Sequence, residues 1–327
     1  MTKKERLDAV LAGKQPDRIP FSFSYHFQGD PEKEKDYVKA HLDFYRESNV
    51  DFLKIMCDGL LYPFYETIEC ASDWAKLTPL PKDDPFFTES IRRCREITTA
   101  VTEECYTFYT FFAPFSLIRN AGSITEQALA GRTVDATIMA HLKEDEEAVL
   151  HALQVIAEDL VYLAGKIIYE SGCKGIYQSV QGAEKGRMSA GEYARWVEPS
   201  DRIVVEGLNK LSHCNILHMC SWAGFPNHLE YWRDYPAAVK NWGIAIEGLS
   251  LSGGLDYFPN CVLMGGLDNR KGKTLHSGTK EEVQQNVRKL LDEMGDVPFI
   301  LGADCTVPSD IAVERFRWIW ETLEERR

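Results

Sequence analysis

Eight short segments of the chain are almost entirely apolar or β-branched, and turn-forming residues bound each of them. Continuous apolar runs of this length are typical of parallel strands that are buried on both faces of a sheet. We therefore predict eight strands, at residues 19–25, 50–56, 106–115, 175–180, 215–220, 238–247, 261–267 and 297–302.

Segments with a helical repeat lie between the predicted strands. Apolar residues that recur three and four positions apart mark helices at residues 32–48, 144–170, 280–294 and 311–323. A further helix at residues 3–11 precedes the first strand and forms an N-terminal helical extension. The longest gap between strands, residues 116–174, has room for an extra helix or a lid.

Strands and helices alternate eight times along the chain, without a change of composition, a Gly/Ser linker or a low-complexity segment. Although 327 residues would be enough for two domains, this alternation favours one α/β (β/α)8 TIM barrel over a doubly wound sheet. We expect a single barrel domain over residues 1–327. Such a barrel places its functional residues at the carboxyl ends of the strands and in the loops that follow.

The chain is acidic, with 37 Lys and Arg residues against 50 Asp and Glu residues and a formal net charge of −13. This balance opposes nonspecific binding to nucleic acid or to an anionic membrane. No run of 18 apolar residues and no secretory signal is visible, so we expect a cytoplasmic protein without a membrane-spanning helix. Nine cysteines without a C-x-x-C pair fit a reduced chain whose cysteines are mostly small core residues.

The predicted fifth strand ends with His218 and Cys220, whose side chains point to the same face because they are two residues apart. Cys305 ends the eighth strand across the barrel mouth, and Glu247 ends the sixth strand between the two. One imidazole, two thiolates and a replaceable oxygen ligand suit Zn²⁺, and an exchangeable fourth ligand is typical of a catalytic zinc. The alternative is that these are ordinary core residues, because H-x-C alone is a weak motif.

Other residues at or near predicted strand ends are candidates for binding a substrate at the barrel mouth. These candidates are Tyr25, His26, Tyr62, Tyr177, Gln181 and Asp268. The alternatives are that the aromatic residues are packing residues, that His26 is a solvated loop residue and that Asp268 caps its loop. No P-loop, G-x-G-x-x-G or G-x-S-x-G motif is present, so neither a nucleotide phosphate site nor a serine nucleophile is indicated.

Several stretches of the sequence resemble the uroporphyrinogen decarboxylase superfamily, whose members are single (β/α)8 barrels, and the resemblance covers essentially the whole chain. These stretches are KERLDAVLAGKQPDRIPF at residues 4–21, APFSL at 113–117, YESGCKG at 169–175, and SAGEY and WVEP within 189–199. True uroporphyrinogen decarboxylases carry an arginine-rich segment after the first strand. Here that place reads FSYHFQGD, at residues 23–30, and has no arginine to hold the carboxylates of a tetrapyrrole.

The second branch of the superfamily contains corrinoid-linked methyltransferases, such as methylcobamide:coenzyme M methyltransferases. These use a zinc motif H-x-C…C, which His218, Cys220 and Cys305 match position by position. Glu247 resembles a glutamate that serves as a labile fourth ligand in related zinc methyltransferases. The chain departs from the family at Ser221, where a glycine often follows H-x-C.

The resemblance implies a zinc-dependent transfer of a methyl group between a corrinoid and a thiol or a methoxy- or methylamine-type substrate. Because the chain has no D-x-H-x-x-G cobalamin motif, we expect a separate corrinoid protein to carry the corrinoid (cobalamin). The alternatives are a tetrapyrrole decarboxylase and a noncatalytic barrel that binds a small ligand or a corrinoid protein.

Overall fold

One sheet of seven parallel strands organises the computed structural model, which describes residues 1–326. The strands lie side by side in the order in which they occur along the chain. They are β1 Phe52–Ile55, β2 Tyr106–Phe112, β3 Gly175–Val180, β4 Ile216–Met219, β5 Val239–Trp242, β6 Val262–Leu267 and β7 Ile300–Ala303. Because all strands are parallel, their carboxyl ends meet at one edge of the sheet.

Helices fill the connections between the strands. The α-helices within residues 1–326 are α1 Lys3–Leu11, α2 Pro31–Glu34, α3 Tyr37–Ser48, α4 Pro85–Val101, α5 Pro114–Ile118, α6 Glu126–Leu129, α7 Val134–Glu144, α8 Glu146–Ser171, α9 Ala190–Trp196, α10 Glu198–Leu211, α11 Ile244–Glu247, α12 Gly254–Tyr257, α13 Thr274–Ser277, α14 Lys280–Met294 and α15 Glu314–Glu325. Short 3₁₀ helices lie at Ala71–Lys76, Trp222–Gly224 and Leu229–Trp232.

The predicted helices α1 and α14 and the strand β3 are confirmed at their predicted bounds. The predicted helix at residues 32–48 is broken into α2 and α3, because the Asp36 side chain accepts from the amide of Lys39 and begins a new helix. The long gap between the predicted third and fourth strands holds α6, α7 and α8.

Two predicted strands end earlier than expected. β2 ends at Phe112 because Pro114 occupies the first turn of α5, and proline cannot donate to a neighbouring strand. β5 ends at Trp242, and Gly243 leads into α11. Glu247 therefore lies in a short helix after β5 rather than at the end of a strand.

The first predicted strand, residues 19–25, is wrong as a regular strand. Phe21 and Tyr25 form only isolated parallel bridges, to Leu301 and Val307. The amide of Phe21 donates to a side-chain oxygen of Asp51 (2.9 Å), so it is not available to a strand ladder. The carbonyl of Phe21 accepts from the backbone of Asp51, so this extended segment still lies between β7 and β1.

A small apolar cluster forms at the amino ends of the strands. It takes one inward residue from each strand and two from α1: Leu7, Val10, Phe52, Phe108, Tyr177, Ile216, Val239, Met264 and Ile300. A larger cluster packs the surrounding helices against the sheet. Helix α1, the N-terminal extension, therefore covers the end of the sheet opposite the strand carboxyl termini.

Helix α8 is long and apolar enough to cross a membrane, by length and composition alone. In the fold, 61% of the most apolar 18-residue stretch of α8 is buried, and the helix packs against α4 and α10. The sequence was expected to contain no membrane-spanning helix because it has no uninterrupted run of 18 apolar residues. Helix α8 meets the looser criterion of length and mean hydropathy. Packing inside the fold accounts for the apolar composition of α8, since core helices of soluble proteins meet the same criterion.

Candidate metal centre

Three side chains with metal-binding atoms come together at the carboxyl edge of the sheet. His218 lies on β4, Cys220 follows that strand, and Cys305 follows β7. Their ligand atoms all lie within 4.8 Å of one another, and Cys305 Sγ is 3.4 Å from His218 Nε2. The amide of Cys220 donates to the carbonyl of Val180 (3.1 Å), which fixes the backbone just after β4. The structure thus gathers the three residues of the predicted H-x-C…C motif.

Hydrogen bonds set the orientation of the His218 ring. Its Nδ1 lies 2.6 Å from Oδ1 of Asn241, on the adjacent strand β5. The amide nitrogen of Asn241 donates to the carbonyls of Met264 and Ala303, so Oδ1 faces the histidine as an acceptor. Nδ1 of His218 therefore carries the proton, and Nε2 offers a lone pair on the side of Cys305.

Tyr177 of β3 supports the same arrangement from a second side. Its hydroxyl donates to Asn241 Oδ1 (2.8 Å), and its ring stacks on the His218 ring with centroids 5.6 Å apart. Among the predicted substrate-binding residues, Tyr177 is thus a buried neighbour of His218, the candidate metal ligand.

The two thiols of the cluster differ in their affinity for a proton. A hydrogen bond from Cys220 holds the pKa of Cys305 well below its usual range, against the effect of burial, and nearby His218 acts in the same direction. The same hydrogen bond, together with burial, raises the pKa of the Cys220 thiol. The lowered pKa of Cys305 favours its thiolate, which is the form that binds metals.

The donor set of this cluster fits zinc. One imidazole nitrogen and two sulfur atoms are the ligand types that Zn²⁺ takes in proteins, whereas Mg²⁺ and Ca²⁺ take oxygen. Three protein ligands leave one position of a tetrahedral site for another group, as catalytic zinc sites do.

Glu247, in α11, contacts Ser221, the residue after Cys220, but it is not one of the three side chains whose ligand atoms form the cluster. Its carboxylate accepts hydrogen bonds from the hydroxyl of Ser221 and from the side chain and backbone amide of Asn227, each at 2.7 Å. These bonds attach α11 to the loop that carries Cys220. The role of Glu247 as a fourth ligand and catalytic residue stays a prediction.

Lys54 belongs to the surroundings of the site, and the sequence pattern missed it. Its side chain is buried, and its ammonium lies 4.5 Å from the centre of the Tyr177 ring, without a hydrogen-bond partner among residues 1–326. Burial lowers the pKa of Lys54 to about 7, although the negative charge of Cys305 opposes the shift. A lysine within the otherwise apolar strand β1 was the available signal.

A buried ion pair lies on the other side of Cys220. Arg119 donates to both carboxylate oxygens of Glu184 (2.9 and 3.0 Å) and to the side-chain carbonyl of Gln181 (2.9 Å). The guanidinium also stacks on Trp222, and the charge of Glu184 adds to the raised pKa of Cys220. Gln181, predicted to bind substrate, is thus held by Arg119, a residue that no motif marked.

His26 and Tyr62 line a cavity of about 250 Å³ at the carboxyl ends of β1 and β2. Nδ1 of His26 lies 2.6 Å from a carboxylate oxygen of Asp58. Burial alone would lower the pKa of His26, but the hydrogen bond and charge of Asp58 outweigh it and raise that pKa. The Tyr62 hydroxyl donates to Asp159 (3.0 Å). These two predicted residues therefore share one cavity.

Two further predicted mouth residues lie elsewhere. Tyr25 is buried against Phe44, and its hydroxyl donates to the carbonyl of Ser309 (2.5 Å). Asp268 accepts hydrogen bonds from the backbone and the guanidinium of Arg270 within its own loop. The structure brings neither residue into the three-ligand cluster, and the contacts of Asp268 are those of a loop cap.

Fold and site together define a parallel α/β protein with a candidate zinc centre at the carboxyl edge of its sheet. The model of the family described as uroporphyrinogen decarboxylase (URO-D) matches residues 61–326. The chain belongs to the uroporphyrinogen decarboxylase family, as the sequence motifs predicted. A comparison with curated proteins gives no match.

Solved structures with the same fold include a methyltransferase from Methanosarcina mazei, at 15% identity and a TM-score of 0.72, with 99% of each chain covered. A GH5_18 protein from Streptomyces cattleya aligns at 12% identity and a TM-score of 0.57, over 94% of this chain and 81% of that chain. The β-mannanase of the blue mussel Mytilus edulis aligns at 10% identity and a TM-score of 0.52, over 95% and 92%. At these identities, the similarities show the fold alone.

Proposed function

We propose that the protein is a zinc-dependent methyltransferase that moves a methyl group between a corrinoid on a partner protein and a thiol or a methoxy- or methylamine-type substrate. The cluster of His218, Cys220 and Cys305, with the free Nε2 of the histidine on the side of the thiols, carries this proposal. Membership of the uroporphyrinogen decarboxylase family and the structural similarity to the Methanosarcina mazei methyltransferase support it.

In this proposal, His218, Cys220 and Cys305 hold the metal. A bound Zn²⁺ supplies a Lewis acid without redox activity, which favours the thiolate form of a thiol or polarises an ether or amine. Asn241 keeps the His218 tautomer in which Nε2 is free to bind, and Tyr177 restrains the ring by stacking. Because a metal binds cysteine as the thiolate, metal binding releases the protons that the two thiols hold, and the raised pKa of Cys220 makes its thiol a source of such a proton.

We further propose that Glu247 is the replaceable fourth ligand or a close neighbour of the metal. Its contacts with Ser221 and Asn227 hold the carboxylate on the loop that carries Cys220. Glu247→Gln keeps the size of the side chain and removes its charge, so turnover should fall more than zinc content. If zinc is lost as fully as in Cys220→Ala, Glu247 is a firm ligand; unchanged turnover would remove it from the reaction.

The proposed protein is a single-barrel cytoplasmic enzyme that meets its corrinoid partner at the carboxyl edge of the sheet. Leu61 and Phe225, each 53% exposed, lie in the loops that follow β1 and β4. Since the net charge of −13 opposes broad electrostatic attraction of an anionic partner, the contact should be local, apolar and transient.

Metal analysis and cobalt spectroscopy test the proposal. The purified protein is first analysed for zinc. It is then mixed with methylcobalamin and a panel of thiols, and separately with cob(I)alamin and methoxy-aromatic compounds or methylamines. We expect stoichiometric zinc and a change of the cobalt spectrum in one of the two directions.

The outcomes separate the metal centre from the reaction. Bound zinc without methyl transfer in either panel would remove the methyltransferase and leave the metal centre standing. Decarboxylation of uroporphyrinogen would instead favour the tetrapyrrole decarboxylase, which the absence of arginine from residues 23–30 opposes. A protein without zinc and without either activity would favour the noncatalytic barrel.

A further inference from the structure

A partly enclosed cavity lies beside the candidate metal centre, at the same edge of the sheet. It is lined by Cys57 and Asp58 just after β1, by Phe112 at the end of β2, and by His26. His26 follows Tyr25, which forms a bridge to Val307, two residues beyond Cys305. The topology therefore places the His26 end of the cavity next to the loop of a metal ligand.

The walls of this cavity are apolar and largely aromatic. Leu61, Tyr62, Phe64, Phe112 and Leu117 form them. The Tyr62 ring packs edge-on against Phe64, with centroids 5.4 Å apart and planes at 62°. An apolar cavity of about 150 Å³ holds benzene, so a cavity of about 250 Å³ has room for one substituted ring but not for a corrin.

The polar groups of the cavity form one hydrogen-bonding end. Asp58 accepts from the backbone amide of Phe27 (2.7 Å) with one oxygen and meets Nδ1 of His26 with the other. This pairing leaves Nε2 of His26 free to bond with a ligand, since the side chain is 36% exposed. Gln28 and Asn120 add uncharged polar groups at the lining.

The lining contains no lysine or arginine among the residues that the structure describes. The one negative group, Asp58, already has two partners. A sulfonate or carboxylate placed here would lose its hydration and meet only the pair of His26 and Asp58, in which the carboxylate already balances a protonated imidazole, so burial of the anion is unfavourable. The cavity therefore discriminates against anionic ligands.

We propose that this cavity binds a small, uncharged aromatic molecule, whose oxygen substituent accepts a hydrogen bond from Nε2 of His26 and whose ring packs between the aromatic walls. The inference rests on the proposed function for its role, because the ligand would then be the methyl-bearing substrate next to the metal centre. It names methoxy-aromatic compounds as the substrate class, rather than sulfonated or carboxylated thiols.

Equilibrium binding to the metal-loaded protein tests the cavity without any corrinoid. The probe is 2-methoxyphenol, and the matched anion is benzenesulfonate; calorimetry and saturation-transfer NMR report binding. We expect saturable binding of 2-methoxyphenol and at least about tenfold weaker binding of benzenesulfonate. His26→Leu should weaken binding of 2-methoxyphenol by about tenfold or more, the usual effect of losing a hydrogen bond to a charged group.

Two variants fill the cavity in different ways. Leu117→Trp fills it from the wall, and Asn120→Trp covers it from an exposed position at the rim. Both should abolish binding, while Tyr65→Phe, at an exposed residue outside the lining, should leave it unchanged. Thermal unfolding and zinc content identify any variant that has not folded.

The proposal is overturned if 2-methoxyphenol does not bind the folded wild-type protein, if both tryptophan variants bind it normally, or if benzenesulfonate binds as tightly. Binding without methyl transfer to cob(I)alamin would leave the cavity assignment standing and contradict the proposed function. Methyl transfer from another substrate, without binding of 2-methoxyphenol, would do the reverse.

Discussion

The two ends of the sheet are built from the same strands and serve opposite needs. At the amino ends, inward side chains form an apolar layer; two residues further along β1, β3, β4 and β5, the side chains on the same face are polar. The pairs are Phe52 and Lys54 on β1, Tyr177 and Ser179 on β3, Ile216 and His218 on β4, and Val239 and Asn241 on β5. Two residues along a strand therefore separate the side chains that stabilise the fold from those that form the candidate site.

The apolar end gains free energy from burial. Each large side chain removed from water there contributes about 1.5–3 kcal/mol. Helix α1 seals this end with Leu7 and Val10, and Arg6 and Arg18 both pair with the buried Asp51. Tyr177 belongs to this layer and also contacts the site, because its hydroxyl donates to Asn241 and its ring stacks on His218.

The polar end gives up part of that free energy for its chemistry. The Lys54 side chain is buried and its ammonium has no hydrogen-bond partner among residues 1–326, and burial raises the pKa of the Cys220 thiol. Desolvating an ammonium is costly unless a partner compensates. The contrast predicts that substitutions at the polar end change metal binding and activity, whereas those at the apolar end change stability.

The largest effect is expected from the metal ligands. Cys305→Ser or Cys220→Ala should reduce zinc content to background and abolish the proposed activity, because each removes one of the three proposed ligands. The unfolding free energy should stay within about 1 kcal/mol of the metal-free wild-type protein, since both residues lie outside the apolar layer. Metal analysis and urea unfolding measure the two quantities.

Cys214→Ser provides the matched control. Cys214 precedes β4 at the opposite end of the strand that carries His218, and it packs against the apolar layer. The control variant should retain zinc. Unchanged zinc in both site variants, or its loss from the control, would break the assignment of chemistry to one end.

Phe108→Ala tests the apolar end. Phe108 is 1% exposed and packs edge-on against Phe52 with ring centroids 5.1 Å apart. Removing a buried phenylalanine costs about 3–5 kcal/mol, so the urea midpoint should fall sharply. The fraction that remains folded should bind zinc at the wild-type stoichiometry. A folded variant that had lost zinc would show that the two layers are coupled.

A comparison of two buried asparagines sharpens the contrast. Asn241→Ala removes the acceptor that orients His218, so zinc affinity should fall about 10–100-fold. Asn215→Ala, at the amino end of β4, removes bonds to Ile176 and to the carbonyl of Leu208 and should affect stability alone. Competition with a chromophoric chelator measures the zinc affinity of both variants. Equal losses of affinity would contradict the orienting role of Asn241.

The sequence predicted those residues of the site whose positions are related by a regular spacing in a strand or by the common edge of parallel strands. His218 and Cys220 share a face because strand side chains alternate, and Cys305 joins them because parallel strands end at one edge. Asn241 and Lys54 were not predicted, because a single polar residue within a short strand forms no motif with a second residue at a regular spacing. Arg119 was not predicted, because its partner Glu184 is distant in the chain and only the fold brings the two side chains together.

The fold followed from the same kind of rule, with one instructive error. Seven predicted strands are present, because continuous apolar runs mark buried parallel strands. Residues 19–25 show the same pattern, but Asp51 takes the amide of Phe21 and leaves only isolated bridges. That competition depends on a side chain thirty residues away, which local pattern does not reveal.

The smallest predicted effect lies at the apolar end and depends on pH. Burial would raise the pKa of Asp17, but hydrogen bonds from Arg6 outweigh it and lower that pKa below its usual range. A carboxyl whose pKa is lowered by folding stabilises the protein above the unfolded pKa of about 4 and loses that contribution as the pH falls below it. Asp17→Asn should therefore cost roughly 0.5–1 kcal/mol at pH 7, because the pair is near the surface, and much less at about pH 3.

Urea unfolding of the wild-type protein and Asp17→Asn at both pH values measures this difference. Loss of zinc in acid affects both proteins and cancels in the comparison. The same gap at both pH values would mean that Asp17 acts through its shape rather than its charge. If the difference in unfolding free energy disappears in acid, the charge of Asp17 stabilises the fold. If the substitution also leaves the zinc content at pH 7 unchanged, this ion pair acts on the stability of the amino end alone and is independent of the candidate metal centre at the other end of the strands.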